Sequence, residues 1–293
     1  MPFSSDPASG DADGAIAALA DLISQRRAIL FAGAGVSMAV GLPSWDKLIR
    51  HMCGELAIDS GGFSHPGSYQ ALAEYYRIKK GSIRPLTDWM RRQWQVSDEN
   101  VRSSPIHQLI LKLDFPIIYT TNYDANLERA YELHGREFIK IKDARDLALS
   151  IDGLVQIIKF HGDLENDDSL VLAESDYFAR LRFESPVDIK FRADALARSV
   201  LFLGYSMSDM NIRLLLYRLW EIWHESGLER QRPISFLFTS RPDPVQEAVL
   251  ACRGIKVLSA ETNDPEAALL GFLSDLSERV HRLRETAPEA ADA

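Results

Sequence analysis

The amino-acid sequence predicts an α/β fold, a doubly wound parallel sheet with a smaller helical insertion, and three observations support it. Strand-length apolar runs rich in β-branched and aromatic residues alternate with helical stretches, as in a parallel sheet covered on both faces. Between about residues 60 and 112 the alternation gives way to helical segments without a convincing strand. The first apolar run, Ala28-Ile29-Leu30-Phe31-Ala32, breaks into the small residues Gly33-Ala34-Gly35-Val36-Ser37 as it turns towards a helix.

In chain order, a helix is expected over about 14–27 and the first strand over 29–33. A second helix starts near Ser44, read as the cap of Trp45-Asp46-Lys47 after Gly41-Leu42-Pro43. The helical insertion is punctuated by Gly61-Gly62, His65-Pro66, Gly81 and Ser103-Ser104-Pro105. Strands then follow at 116–120, 137–141, 154–160, 199–204, 234–238 and 254–258. Helices are expected at 123–134, 175–181, 186–198, 209–225, 243–251 and 265–284. Small and polar residues dominate 1–13 and 286–293, so both ends are expected to be disordered, flanking one domain over 14–285.

Bulk properties narrow the function. A chain of 293 residues has room for one large α/β domain with an insertion. Its net charge of −9 argues against direct nucleic-acid binding, which needs a basic face. Only Cys53 and Cys252 are present, so a four-cysteine zinc site is excluded, a disulfide framework is not expected, and the cytoplasm is the expected compartment. No run approaches the ~18–20 apolar residues of a membrane span. The apolar stretch at 15–20 meets Asp21 with no basic residue before it, so neither an anchor nor a signal peptide is expected.

A strand that ends in small residues and passes into a helix lets a phosphate touch backbone N–H groups. Residues 33–37 therefore read as a nucleotide loop or, taken alone, as an ordinary tight turn. They are not the dehydrogenase fingerprint, because Met38 stands where the third glycine belongs, and no Lys-Ser/Thr follows to make a P-loop. A doubly wound sheet binds its ligand at the carboxyl ends of its strands. Three further strands end there in polar clusters: Thr120-Thr121-Asn122-Tyr123-Asp124, His161-Gly162-Asp163, and Gly204-Tyr205-Ser206 with Asp209 and Asn211. Each has a plain alternative. Asn122 or Asp124 can cap the following helix, His161 can be a turn histidine, and Gly204 and Asp209 can form a turn and an N-cap.

Together the clusters suit a dinucleotide with a reactive glycosidic bond. Amides near Gly33, Ala34, Gly35 and Ser37 can meet the pyrophosphate, while Gly204 and Ser206 can approach the phosphates or a ribose. Asn122 can hold a ribose hydroxyl or a water, a neutral His161 can take a proton, and Asp124 can orient the nicotinamide or the asparagine loop. No metal signature is present. Loss of nicotinamide needs no metal, since the leaving group already carries a positive charge.

In order and spacing these four clusters resemble the sirtuin-like NAD-consuming domains of prokaryotic antiviral defence systems, over about residues 14–284. The resemblance implies a Rossmann-like fold, with Asn122 matching the catalytic asparagine and His161 the catalytic histidine. It places Asp124 in the nicotinamide-side pocket and Gly33, Ala34, Gly35 and Ser37 in the NAD-binding loop. Thr121 joins the NAD-binding residues, and Gly204 and Ser206 match the second ribose-phosphate loop. Two departures point away from peptide deacylation: two scattered cysteines cannot build the zinc ribbon of deacylase sirtuins, and Pro43-Ser44-Trp45-Asp46 stands in place of their Asp-Phe-Arg.

The expected activity is thus NAD glycohydrolysis, giving nicotinamide and ADP-ribose, as the effector of an abortive-infection antiphage system. A protein deacylase, an ADP-ribosyltransferase and a non-catalytic NAD or ADP-ribose sensor are the alternatives. The resemblance also implies homo-oligomers and a separately encoded activator, such as a DNA-translocase-type ATPase or a short Argonaute complex. Trp89 and Trp94 around Arg91-Arg92, and Trp220 and Trp223, are either docking surfaces or core. Lys79-Lys80 and Arg91-Arg92 are expected to form a solvated face.

Overall fold

The run from Ala28 to Ala32 is buried at every position and lies in the middle of a sheet. The structure, a computed structural model, describes residues 12–59, 68–260 and 262–286. The terminal segments expected to be disordered lie outside these residues, except that the first helix begins at Ala12, two positions before the expected start, and the last helix runs to Thr286.

Seven parallel strands form the sheet: β1 (Ala28–Ala32), β2 (Ile117–Thr120), β3 (Phe138–Ile141), β4 (Val155–Lys159), β5 (Ser199–Leu203), β6 (Ser235–Thr239) and β7 (Ile255–Ser259). Their order is β3-β4-β2-β1-β5-β6-β7, all parallel. From β1 the chain fills one side with β2, the edge strand β3 and then β4 between them, before crossing back at β5 and building outward on the other side. The strand order therefore reverses beside β1, which is where such sheets open a ligand crevice.

Register fixes what faces that crevice. Ala32 pairs with Thr120 and with Leu203, and Thr120 pairs with Lys159. The next residues along the four strands, Gly33, Thr121, Phe160 and Gly204, leave the sheet in one row.

Helices α1 (Ala12–Ser24), α2 (Ala34–Met38), α3 (Trp45–Leu56), α4 (Ser68–Lys80), α5 (Arg84–Gln93), α6 (Asp98–Ser103) and α7 (Pro105–Leu113) precede β2. Then come α8 (Asn126–Leu133), α9 (Ala144–Ala148), α10 (Glu174–Ala179), α11 (Pro186–Ala197), α12 (Met210–Ser226), α13 (Pro244–Cys252) and α14 (Pro265–Thr286). Several start as their sequence dictates. Pro105, Pro186 and Pro244 occupy the first turn behind Ser104, Ser185 and Asp243, whose side chains accept backbone N–H bonds. Ser44 precedes α3 as expected, but its hydroxyl makes no capping bond.

Alternate residues of each strand point to opposite faces. Leu30, Ile118 and Leu201 pack under α1, α7 and α14 residues such as Leu19, Ile110 and Phe272. Ile29, Phe31, Tyr119 and Phe202 pack on the other face against Phe191, Ile212 and Leu215. A third core belongs to the helical insertion: Leu48, Met52, Leu72, Tyr76, Leu86 and Met90 close around Tyr123, Leu170 and Leu172. The last three lie in loops after β2 and β4, so the insertion is built onto the edge that carries the polar clusters. Among the described residues no helix is long and apolar enough to cross a membrane.

Candidate active site

Three glycines bring two strand ends into backbone contact. The N–H of Gly33 donates to Leu203 O at 2.9 Å, and that of Gly35 to Gly204 O at 3.0 Å. A Cβ on Gly35 would lie 2.8 Å from Gly204 Cα, and one on Gly204, whose φ is +63°, would lie 2.8 Å from Val36 N. Only residues without a side chain allow the β1–α2 turn to rest on the end of β5. The Gly33 and Gly35 amides, two of those expected to meet a pyrophosphate, thus donate to the end of β5. Ala34, at the first helical position, has an N–H without an intrahelical acceptor. Ser206 is exposed at the rim, its hydroxyl 2.7 Å from that of Ser208, and Thr121 is half-buried.

Asn122 is buried in a loop, because α8 begins at Asn126 rather than near Tyr123 as expected. Asp124 explains the delay: its Oδ1 accepts the Asn126 N–H at 3.0 Å, forming a turn before the helix. Asn122 N–H in turn donates to Thr120 Oγ1 at 3.0 Å, so of the two plain capping alternatives only Asp124 takes up an N–H at the start of α8. The Asn122 carboxamide reaches back to the glycine turn, where Nδ2 donates to Gly33 O at 3.0 Å and to Ser37 Oγ at 2.9 Å. Ser37 Oγ donates onward to Asp124 Oδ1 at 3.1 Å. Since Gly33 O can only accept, the orientation of the amide is fixed, and both its protons are used. Its Oδ1 is the end left for a substrate or a water.

His161 follows β4, the neighbour of β2, and is 2% exposed. Burial pushes its pKa down to about 4, opposed by the nearby Asp209 carboxylate, so the ring is neutral. Its Nε2 lies 3.4 Å from Asp209 Oδ2 outside hydrogen-bond geometry. Asp209 also caps α12, its Oδ1 accepting from Asn211 N and Ile212 N, as the plain alternative supposed. Tyr177 packs edge-on against the imidazole at 5.5 Å, and the Tyr205 ring packs on Phe31 beside Gly33. His161 Nε2 and Tyr205 Oη are both buried without a well-formed hydrogen bond, and the Asp209 carboxylate lies close to each.

The structure adds residues that sequence reasoning did not single out. Lys159, the last residue of β4, is buried, donates to Asp124 O and pairs with the buried Glu128 at 3.1 Å. Arg91, expected on a solvated face, instead donates to Leu164 O at 2.8 Å through Nε and pairs with Asp88 and Asp167. It ties α5 to the loop after His161. Lys80 pairs with Glu55 at 3.2 Å. Trp89 stacks on His51 and Trp94 on Tyr123, both half-buried against the insertion core, while Trp220 and Trp223 are half-buried on α12. Two open cavities of about 390 and 460 Å³ lie beside α5, and neither is lined by Asn122 or His161.

Residues 116–258 match the profile of the family described as SIR2-like domain, a span that includes Asn122, His161 and Gly204. The chain is 28% identical to the NAD(+) hydrolase ThsA of Acinetobacter baumannii (strain 532279) over 215 residues, 73% of this chain and 43% of that protein. It is 29% identical to the NAD(+) hydrolase ThsA of Bacillus cereus (strain MSX-D12) over 206 residues, 67% of this chain and 40% of that protein. Defense-associated sirtuin 2 of Bacillus subtilis is 26% identical over 244 residues, 79% of this chain and 23% of that protein. The chain thus spans less than half the length of these relatives. With an all-parallel sheet, a glycine turn at its reversal point and an asparagine and a histidine on adjacent strand ends, the chain is similar to SIR2-like domains over residues 116–258.

Proposed function

We propose that the chain is a NAD glycohydrolase that cleaves NAD to nicotinamide and ADP-ribose. The observation that carries this reading is the orientation of Asn122, whose two amide protons are held by Gly33 O and the Ser37–Asp124 relay. Its Oδ1 is then aimed as an acceptor, without net charge. In the reaction the bond between the anomeric carbon and the nicotinamide nitrogen breaks, and both electrons pass to the nitrogen, which loses its positive charge. Water adds to the sugar cation and gives up one proton. Asn122 Oδ1 orients that water and its dipole favours the developing cation. His161, neutral in the buried site, accepts a proton from the water or a ribose hydroxyl, and Asp209 stabilises the imidazolium that forms.

Similarity to the NAD(+) hydrolases ThsA supports this activity, and similarity to the defense-associated sirtuin of Bacillus subtilis supports a role in defence. We extend the reading to an antiphage effector whose NAD depletion aborts infection, working as a homo-oligomer with a separately encoded activator. The burial of both Asn122 and His161 supports a site that has to be opened before it acts.

Chromatography of NAD incubated with the purified chain tests the chemistry, alone and with candidate activators. Nicotinamide and ADP-ribose in equal amounts, reduced about a hundredfold or more by Asn122→Ala, is the expected result. NAD binding with no turnover under any condition would instead indicate a sensor, and turnover only with a protein acceptor a transferase.

A further inference from the structure

We infer that Lys159 is a positioning residue that holds the Asn122 loop through the backbone of Asp124, an inference that rests on the hydrolase reading for its catalytic consequence. The Lys159 side chain is fully buried, and a cation is kept in such a place only where partners hold it. It has two: Nζ donates to Asp124 O and lies 3.1 Å from Glu128 Oε1, on the first turn of α8. The register sets Lys159 beside Thr120, directly under the loop formed by residues 121–125.

That loop has no ladder to fix it. Its backbone is pinned by Asn122 N on Thr120 Oγ1, Asn126 N on Asp124 Oδ1, and Asp124 O on the Lys159 ammonium, with a longer bond from Leu164 N to Tyr123 O at 3.3 Å. The third pin decides where the Asp124 carboxylate stands. Asp124 Oδ1 then receives Ser37 Oγ, and Ser37 Oγ receives the Asn122 amide. A chain of contacts therefore runs from Lys159 to the carboxamide two residues before Asp124. Stability alone does not call for this arrangement, since apolar residues of similar volume often replace a buried ion pair without loss. What such residues could not supply is a donor to Asp124 O.

Lys159→Met by itself would leave Glu128 buried and unpaired, so the informative variant is Lys159→Met with Glu128→Leu, which fills the space without charge. Four quantities are compared with wild type: the melting temperature, amide hydrogen exchange at Asn122 and Asn126, NAD turnover, and ADP-ribose affinity by calorimetry. The expected double variant melts as wild type does, exchanges at those two amides at least about tenfold faster, and binds ADP-ribose within about threefold. Its kcat falls roughly a hundredfold with KM little changed, the scale of loss expected when a reacting group shifts by about 1 Å. A folded double variant with wild-type exchange and kcat overturns the inference. One that does not fold overturns it too, because the pair would then be a condition of folding. If wild type leaves NAD intact both alone and with every candidate activator, the hydrolase reading falls, while the exchange rates still decide whether Lys159 positions the loop.

Discussion

Replacing Gly204 by alanine should separate two turns that now touch. Its φ of +63° lies in the left-handed region, where an L side chain costs about 1–2 kcal/mol. The new Cβ would also lie 2.8 Å from Val36 N and 3.0 Å from Gly35 Cα, backbone atoms that cannot rotate away. Overpacking of this kind costs roughly 1–3 kcal/mol, giving about 2–5 kcal/mol in all, against a typical domain stability of about 5–15 kcal/mol. Gly227, which ends α12 at φ +69° with open space for 4 Å around the place a methyl group would take, supplies the control. Gly227→Ala carries the backbone strain without the collision and should lose only about 1–2 kcal/mol. Urea unfolding followed by tryptophan fluorescence measures both, and the difference isolates the contact between the β1–α2 turn and the end of β5. Equal losses in the two variants would mean that the turns do not pack as described.

Ser37→Ala removes the hydroxyl between Asn122 and Asp124. A hydrogen bond to a charged group is worth about 1.5–3 kcal/mol, so kcat for NAD should fall roughly ten- to a hundredfold, and unchanged turnover would refute the relay. Buried His161 and His107 both have pKa values lowered to about 4, from 6.5 in a solvated chain, chiefly by burial. Between those values the unfolded chain takes up protons that the folded one refuses. Stability is therefore full above pH 6.5 and falls as the pH drops towards 4, by up to about 3 kcal/mol for each histidine. Urea midpoints at pH 7 and 4.5 check this, and His107→Phe should weaken the dependence. Arg91→Ala frees the loop after β4 from α5, so amides around Leu164 and Asn166 should exchange faster while the sheet stays protected. Unchanged exchange there would show that Arg91 is not a strut.

The sheet is legible in the sequence because its strands are short apolar runs bounded by polar clusters, and the four clusters do leave the sheet at one edge. Strand order is not legible: nothing in the run Val200-Leu201-Phe202-Leu203 says that it lies beside β1 rather than at an edge. The start of α8 falls later than expected because Asn122 and Asp124 are common capping types, while their hydrogen bonds depend on Ser37 and Gly33, far away in sequence. The glycines stand out in the sequence, but their partner is another backbone rather than a free phosphate-facing surface. Lys159 gives no signal because a lysine closing a strand ordinarily reaches water, and only the burial of Glu128 beside it reveals an interior pair. Arg91 reads as solvated for the same reason, since its acceptor Leu164 O leaves no mark in the sequence.

The contact of Gly33 and Gly35 with Gly204 joins positions separated by more than half of the chain. During synthesis β1, β2 and β4 emerge well before β5, and domains fold from the amino terminus as the chain lengthens. The glycine turn has no floor until β5 slides in beside β1, and Asp209, which faces His161, arrives still later. Nascent chains and fragments that stop short of α12 therefore lack an assembled site. A chain still being synthesised carries the complete candidate site only after α12 has emerged.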